Sequence, residues 1–166
     1  MPKIIMLRGN SGSGKSTVAK ALQKKIGKGT LLISQDYVRR EMLWANGSPH
    51  NSSVDLLKNL VTYGHQNCDY AILEGILFSQ TYESLFALTK ELYGGQLFAY
   101  YFDLSFEETL ARHKQKPISH GYGEAEMRTW WREKDFMPHI DEKIIDENMS
   151  LDETVEQIYC DVTDNT

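Results

Sequence analysis

The sequence predicts an α/β protein of one domain, a parallel sheet covered by helices on both faces. Three observations lead there. Apolar, β-rich runs alternate with helix-period stretches along the chain, the pattern of parallel strands joined by crossover helices. A glycine-rich turn joins the first run to the first helical stretch. The 166 residues hold no internal repeat, low-complexity tract or linker, which suits one unit, residues 1–166, with a proper core and a small mobile insert.

The expected strands are Lys3–Leu7, Thr30–Ser34, Tyr70–Glu74, Leu97–Asp103 and Lys143–Ile145. The helical stretches are Lys15–Ile26, Tyr37–Trp44, Ser53–Asn67, Thr81–Tyr93, Phe106–Lys116, Glu124–Phe136 and Leu151–Asp161. Ser105 with Glu108, and Ser150 with Glu153, read as capping boxes that start helices. Gly94-Gly95 reads as a helix stop before the fourth strand. The segment Lys116–Gly123 carries Pro117, Gly121 and Gly123 between two helices; it suits a closing lid of about residues 113–135, and an ordinary surface loop is the plain alternative.

Composition narrows the class. Hydrophobic residues make up 41% and charged residues 25%, as in ordinary soluble globular proteins. No apolar run approaches the ~20 residues of a membrane helix, so no membrane partner is expected. The N-terminal run Ile4-Ile5-Met6-Leu7 is too short for a signal peptide. Cys68 and Cys160 form no C-x-x-C pair and suit a reducing, cytoplasmic setting. The formal net charge of −5 argues mildly against a polynucleotide substrate, because gripping nucleic acid usually takes a basic excess. His50, His65, His113, His120 and His139 show no metal-ligand spacing.

The strongest motif is Gly9-Asn10-Ser11-Gly12-Ser13-Gly14-Lys15-Ser16, a full match to G-x-x-x-x-G-K-[ST] between a strand and a helix. Glycines let the backbone curl so that successive N–H groups face phosphate oxygens, and the helix N-terminus adds positive charge. Lys15 should reach the β- and γ-phosphates and the Ser16 hydroxyl should ligate Mg²⁺. Such a loop implies nucleoside triphosphate binding.

The rest of the chain points from binding to transfer. The second strand runs into Ser34-Gln35-Asp36, followed by Tyr37-Val38-Arg39-Arg40. Ligands of open parallel sheets bind beyond the strands' carboxyl ends, so Asp36 falls near the γ-phosphate. Asp36 could orient an acceptor hydroxyl and take its proton while Arg39 offsets phosphoryl charge; the alternative is a helix cap beside a solvated arginine. Glu74 closes the third strand, where a carboxylate can hold Mg²⁺ through water or simply end a strand. Asp103 could compete for that role, but its neighbour Ser105 favours a structural one. Arg128 and Arg132 lie one helical turn apart, with Met127, Trp130 and Trp131 on another face. That helix would pack by its tryptophans and offer guanidiniums to a phosphate chain, although a tryptophan could instead stack on a base. Arg112 joins this set unless it only pairs with Glu108 at i, i+4.

These residues resemble the zeta-toxin, polynucleotide-kinase and chloramphenicol-phosphotransferase branch of the P-loop kinases. Gly9–Thr17 looks like that branch's phosphate loop, Asp36 with Arg39 like its acceptor-binding Asp-x-x-Arg element, and Asp103–Arg112 with the following arginine-bearing helix like its lid. The resemblance implies a three-layer fold on a five-stranded parallel sheet in the order 2-3-1-4-5. It implies ATP and Mg²⁺ as co-substrates and places Asp146–Asn148 beside the adenine. The Gly-Gly-Gly element of shikimate kinases is missing.

The expected set is then Lys15, Asp36, Arg39 and Arg128 in catalysis; Gly9, Asn10, Ser11, Gly12, Ser13, Gly14, Lys15, Ser16, Thr17, Arg112 and Arg132 in nucleotide binding; and Ser16 and Glu74 on the metal. The expected activity moves the ATP γ-phosphate onto a hydroxyl of a small molecule: a nucleoside, sugar, nucleotide sugar or antibiotic. A 5′-hydroxyl polynucleotide kinase is the rival within the class, and a slowly hydrolysing switch ATPase the rival outside it. The chain lacks the Asn-Lys-x-Asp element of guanine-reading switches. Monomer and homodimer both remain open.

Overall fold

A computed structural model describes residues 1–45, 52–116 and 121–164. Its sheet holds five parallel strands, β1 (Lys3–Gly9), β2 (Leu31–Ser34), β3 (Tyr70–Gly75), β4 (Leu97–Asp103) and β5 (Glu142–Asp146), in the order β2-β3-β1-β4-β5. The order agrees with the expected one. Around it lie α1 (Lys15–Ile26), α2 (Gln35–Tyr37), α3 (Ser53–Asn67), α4 (Glu83–Tyr93), α5 (Phe106–Lys114), α6 (Glu124–Trp130) and α7 (Leu151–Thr163).

The central strand explains the layering. Every residue of β1 is buried, because successive side chains of a strand point to opposite faces and both are covered. Ile4 and Met6 pack with Leu57, Val61 and Phe86 from α3 and α4. Ile5 and Leu7 pack with Val18, Leu22 and Ile158 from α1 and α7. Each such side chain taken from water contributes roughly 1.5–3 kcal/mol, so two apolar layers hold the carboxyl ends of β1 and β3 in fixed register. Among the described residues no helix is long and apolar enough to cross a membrane.

Helix boundaries follow local chemistry. At α7 the Ser150 hydroxyl accepts from the Glu153 N–H and the Glu153 carboxylate accepts from the Ser150 N–H, a complete capping box. At α5 only half the box forms. Ser105 accepts from the Glu108 N–H at 3.2 Å, but the Glu108 side chain accepts from Arg112 Nε at 2.7 Å instead. Gly94, at φ +53°, ends α4 as expected.

Two expected helices are corrected. Tyr37–Trp44 is no α-helix: after the single turn of α2 the chain takes a π turn, Val38–Met42, closed by the Leu43 N–H on the Val38 carbonyl at 3.0 Å. Glu124–Phe136 stops at Trp130, and Trp131 is extended. The cause lies 122 residues away. Asn10 donates through Nδ2 to the Arg132 carbonyl at 2.7 Å and accepts the Arg132 N–H at 3.0 Å, which draws that segment out of the helix. Of the expected lid loop, residues 117–120 lie outside the described residues, as do His50 and His120.

Candidate active site

The glycine-rich turn sits at the carboxyl end of β1. Gly12, at φ +78°, lies so close to α5 that a Cβ there would meet the Thr109 carbonyl at 2.6 Å. Gly14 caps α1 in the left-handed region at φ +94°. Neither position accepts a side chain without strain. The Lys15 ammonium is buried and donates to the Asn10 carbonyl at 2.7 Å and to Ser13 Oγ at 3.0 Å. Burial lowers its pKa from 10.5 to about 8; nearby Glu74 opposes the shift and Lys116 adds to it. This lysine therefore lacks a strong counter-charge in the free protein, the condition a triphosphate would relieve.

Beside it, Ser16 Oγ donates to Glu74 Oε2 at 3.0 Å. Glu74 is the penultimate residue of β3 and is 4% exposed. A hydroxyl and one carboxylate are hard oxygen donors that suit Mg²⁺, an ion that keeps waters and takes phosphate oxygens rather than a full protein cage. No group of three or more His, Cys, Asp or Glu able to hold a metal occurs among the described residues.

A cavity of about 490 Å³ opens over the turn. Ser11 to Ser16 form its floor, and Glu74, Asp36 and Arg39 stand at its wall. Asp36 is not the cap of α2: Ser34 occupies that position, its hydroxyl facing the Tyr37 N–H at 3.5 Å. The π turn brings Arg39 and Arg40 to the same oxygen of Asp36, at 3.3 and 2.8 Å. A second cavity of about 410 Å³ lies on the other side of the turn, between Thr17, Arg112 and the segment from Asp146 to Ser150. The two share Gly12, Ser13, Gly14 and Lys116.

The predicted arginines divide. Arg112 does pair with Glu108, and it also reaches the turn, donating through Nη1 to the Ser13 carbonyl at 3.2 Å. Arg128 lines neither cavity; its exposed guanidinium pairs with Glu124 at 2.7 Å and lies 4.3 Å from the Phe106 ring. Arg132 lines neither cavity, and with the helix ended at Trp130 it shares no face with Arg128. Its backbone, through the Asn10 clasp, is what touches the turn. Gly9 and Asn10 also sit behind the cavities and brace the loop. Asp103 is paired with Lys134, in line with a structural role. Of the tryptophan cluster, Met127 is buried, whereas Trp130 faces the larger cavity and meets Tyr122 edge-on at 5.1 Å.

Four residues went unread. Arg8 is wholly buried: it pairs with Glu142 at 2.7 Å and Asp135 at 3.1 Å and donates twice to the Leu77 carbonyl, the backbone of a non-glycine residue at φ +48°. Arg8 thus fixes the 75–79 wall of the cavity. Tyr122 shares a hydrogen bond between its hydroxyl and Ser11 Oγ at 3.0 Å and stacks on His113 at 4.8 Å. Lys116 faces both cavities, and Arg40 the larger. The advance signals were two: the run of two basic residues after Asp36, and an arginine at the end of the apolar run Ile4–Leu7.

No curated protein matches the chain. Among solved structures, a gluconokinase from Sinorhizobium meliloti is 17% identical, with a TM-score of 0.71 over 99% of this chain and 93% of its own. An APS kinase from Mycobacterium tuberculosis, solved with AMPPNP and APS, is 18% identical, with a TM-score of 0.70 over 98% of each chain. A shikimate kinase from Acinetobacter baumannii, solved with shikimate, is 16% identical, with a TM-score of 0.63 over 100% of this chain and 96% of its own. At these identities the likeness is one of fold, the fold of P-loop kinases. A family model described as an AAA domain matches residues 4–135, and with most of the molecule inside that match, the glycine-rich turn, the larger cavity and four of the five strands included, the chain belongs to the AAA domain family.

Proposed function

We propose that the protein is a kinase that transfers the γ-phosphoryl group of ATP to a hydroxyl of a small molecule. The observation that carries this reading is that one cavity is lined by Lys15, by the Ser16–Glu74 pair and by Asp36 with Arg39. A switch or motor has no need of a second carboxylate lining the cavity over its phosphate-binding turn. The fold shared with gluconokinase, APS kinase and shikimate kinase supports small hydroxyl compounds as the acceptor class.

In this reading the turn's N–H groups and Lys15 hold the triphosphate, and Thr17, Arg112 and Asp146 border the base. Ser16 and Glu74 would hold Mg²⁺, which would supply positive charge to offset that of the phosphates. Asp36 accepts a hydrogen bond from the acceptor hydroxyl and takes its proton, while Arg39 faces the charge on the transferring group. The protein's part is positioning and electrostatics, as expected for a loose phosphoryl transition state.

Asp36→Asn tests the assignment. The variant keeps size and loses basicity; because Ser34 is the cap, the helix cap stays intact. Calorimetry should show Mg-ATP binding retained, while acceptor-dependent ADP formation falls ~10²–10⁴-fold. Wild-type turnover in the variant would remove Asp36 from the mechanism. Phosphate release at one rate with and without any acceptor would replace the kinase reading with a nucleotide-hydrolysing switch.

A further inference from the structure

We infer that the acceptor is itself an anion: a small hydroxyl compound carrying a carboxylate or phosphate group that docks between Arg39, Arg40 and Lys116. The inference rests on the kinase reading above and names its substrate class.

Charge in the larger cavity is unbalanced beyond what the nucleotide explains. Lys15 belongs to the triphosphate, and Glu74 is engaged by Ser16. That leaves Arg39, Arg40 and Lys116 facing the single carboxylate of Asp36. Lys116 has no ion-pair partner among the described residues, and it lies near enough to Lys15 to depress that lysine's protonation. Even with one of the three given to the transferring phosphoryl group, two cations face one carboxylate.

Hydrogen bonding shows the same surplus. A guanidinium carries five N–H donors. Arg39 spends one on Asp36 through Nη2, and Arg40 spends one through Nε. Arg39 Nε is buried without a partner. A buried donor left unsatisfied is costly, and an oxyanion brought against this pair would satisfy several donors in fork geometry. Arg40 is held from the other side by the Tyr122 ring at 5.6 Å from its central carbon, so it waits in place rather than sweeping solvent. Phe78 and Trp130 also line the cavity, so a bound acceptor would lie against apolar faces as well as these charges. A neutral sugar or nucleoside would leave the surplus uncompensated.

The test separates recognition from turnover. With the nucleotide site filled by a non-hydrolysable ATP analogue and Mg²⁺, matched compounds are titrated by calorimetry: an aldonic acid against its alditol, and a sugar 6-phosphate against the free sugar. At least one anionic member should bind about 10- to 100-fold more tightly than its neutral partner, and added salt should narrow the gap. The pair that responds says whether carboxylate or phosphate is the anion read. Arg40→Gln should shrink the gap to less than about threefold, with the affinity for the ATP analogue retained as evidence of folding. Equal binding within both pairs, binding by none of the compounds, or a gap unchanged in both Arg40→Gln and Arg39→Gln would overturn the inference. Anions that bind as described yet support no ADP formation with ATP would uphold the anion site and refute the kinase reading instead.

Discussion

Nucleotide binding should take up a proton, because Lys15 is only partly protonated near neutral pH. Burial is the dominant cause of its lowered pKa, about 8 in the free protein against 10.5 unperturbed. A triphosphate brings several negative charges to the ammonium and raises that value again. With a free-state pKa of about 8, roughly one-tenth of the protein carries neutral Lys15 at pH 7 and roughly nine-tenths at pH 9. Affinity for Mg-ATP should therefore fall about tenfold between those values, while the phosphates' own titration, near 6, lies below the window. At pH 8 about half a proton should be taken up per nucleotide bound. Calorimetry in two buffers of different ionisation enthalpy measures that number directly. Folding stability moves oppositely. Since the folded pKa is the lower one, the cost of burying the charge is present below about pH 8 and is relieved as pH rises toward 10.5, so the nucleotide-free protein gains stability across that interval. Zero proton uptake at pH 8, or an affinity flat from pH 7 to 9, would show that Lys15 is fully charged before the nucleotide arrives.

Three further outcomes are expected. Arg8→Met leaves Glu142 and Asp135 without their counter-charge beside the core; it should cost ~3–5 kcal/mol, read as a Tm drop of roughly 6–20 °C. Tyr122→Phe removes the hydroxyl on Ser11, a loss of ~0.5–1.5 kcal/mol that should appear as faster amide exchange in α6 with global stability unchanged. Glu74→Gln removes the charge facing the metal position, and should raise the Mg²⁺ concentration for half-maximal turnover by about tenfold or more while leaving metal-free nucleotide affinity within about threefold.

Sequence reading succeeded where the chemistry is contiguous. Gly9–Ser16 carries its whole argument in eight neighbours, and the burial of β1 on both faces is legible in the apolar run Ile4–Leu7 at its centre. It failed where distant partners decide. Nothing near Arg132 announces that Asn10 will hold its backbone and end α6 early. A π turn at Val38–Met42 leaves the same residue types as an α-helix, so a helical wheel could not place Arg39 and Arg40 on one oxygen of Asp36. Arg8 interrupts an apolar strand, a visible oddity whose partners come from β5 and from the segments around residues 77 and 135. Lys116 and Tyr122 reach the cavity only once the chain between α5 and α6 has been brought over the turn.

The two sides of the cavity also differ in how deeply they are rooted. Lys15 and Glu74 are 6% and 4% exposed, set into strand ends and a helix start on which both apolar layers rest. Asp36, Arg39 and Arg40 project from a short turn with side chains 58%, 25% and 37% exposed. Exchanging a residue of the first kind disturbs the scaffold, whereas exchanging one of the second leaves the scaffold standing and changes only the chemistry of the cavity. The molecule thus separates an inherited engine from a replaceable handle: its appetite for acceptors could be rewritten in a few substitutions around the π turn without reopening the question of whether the chain folds.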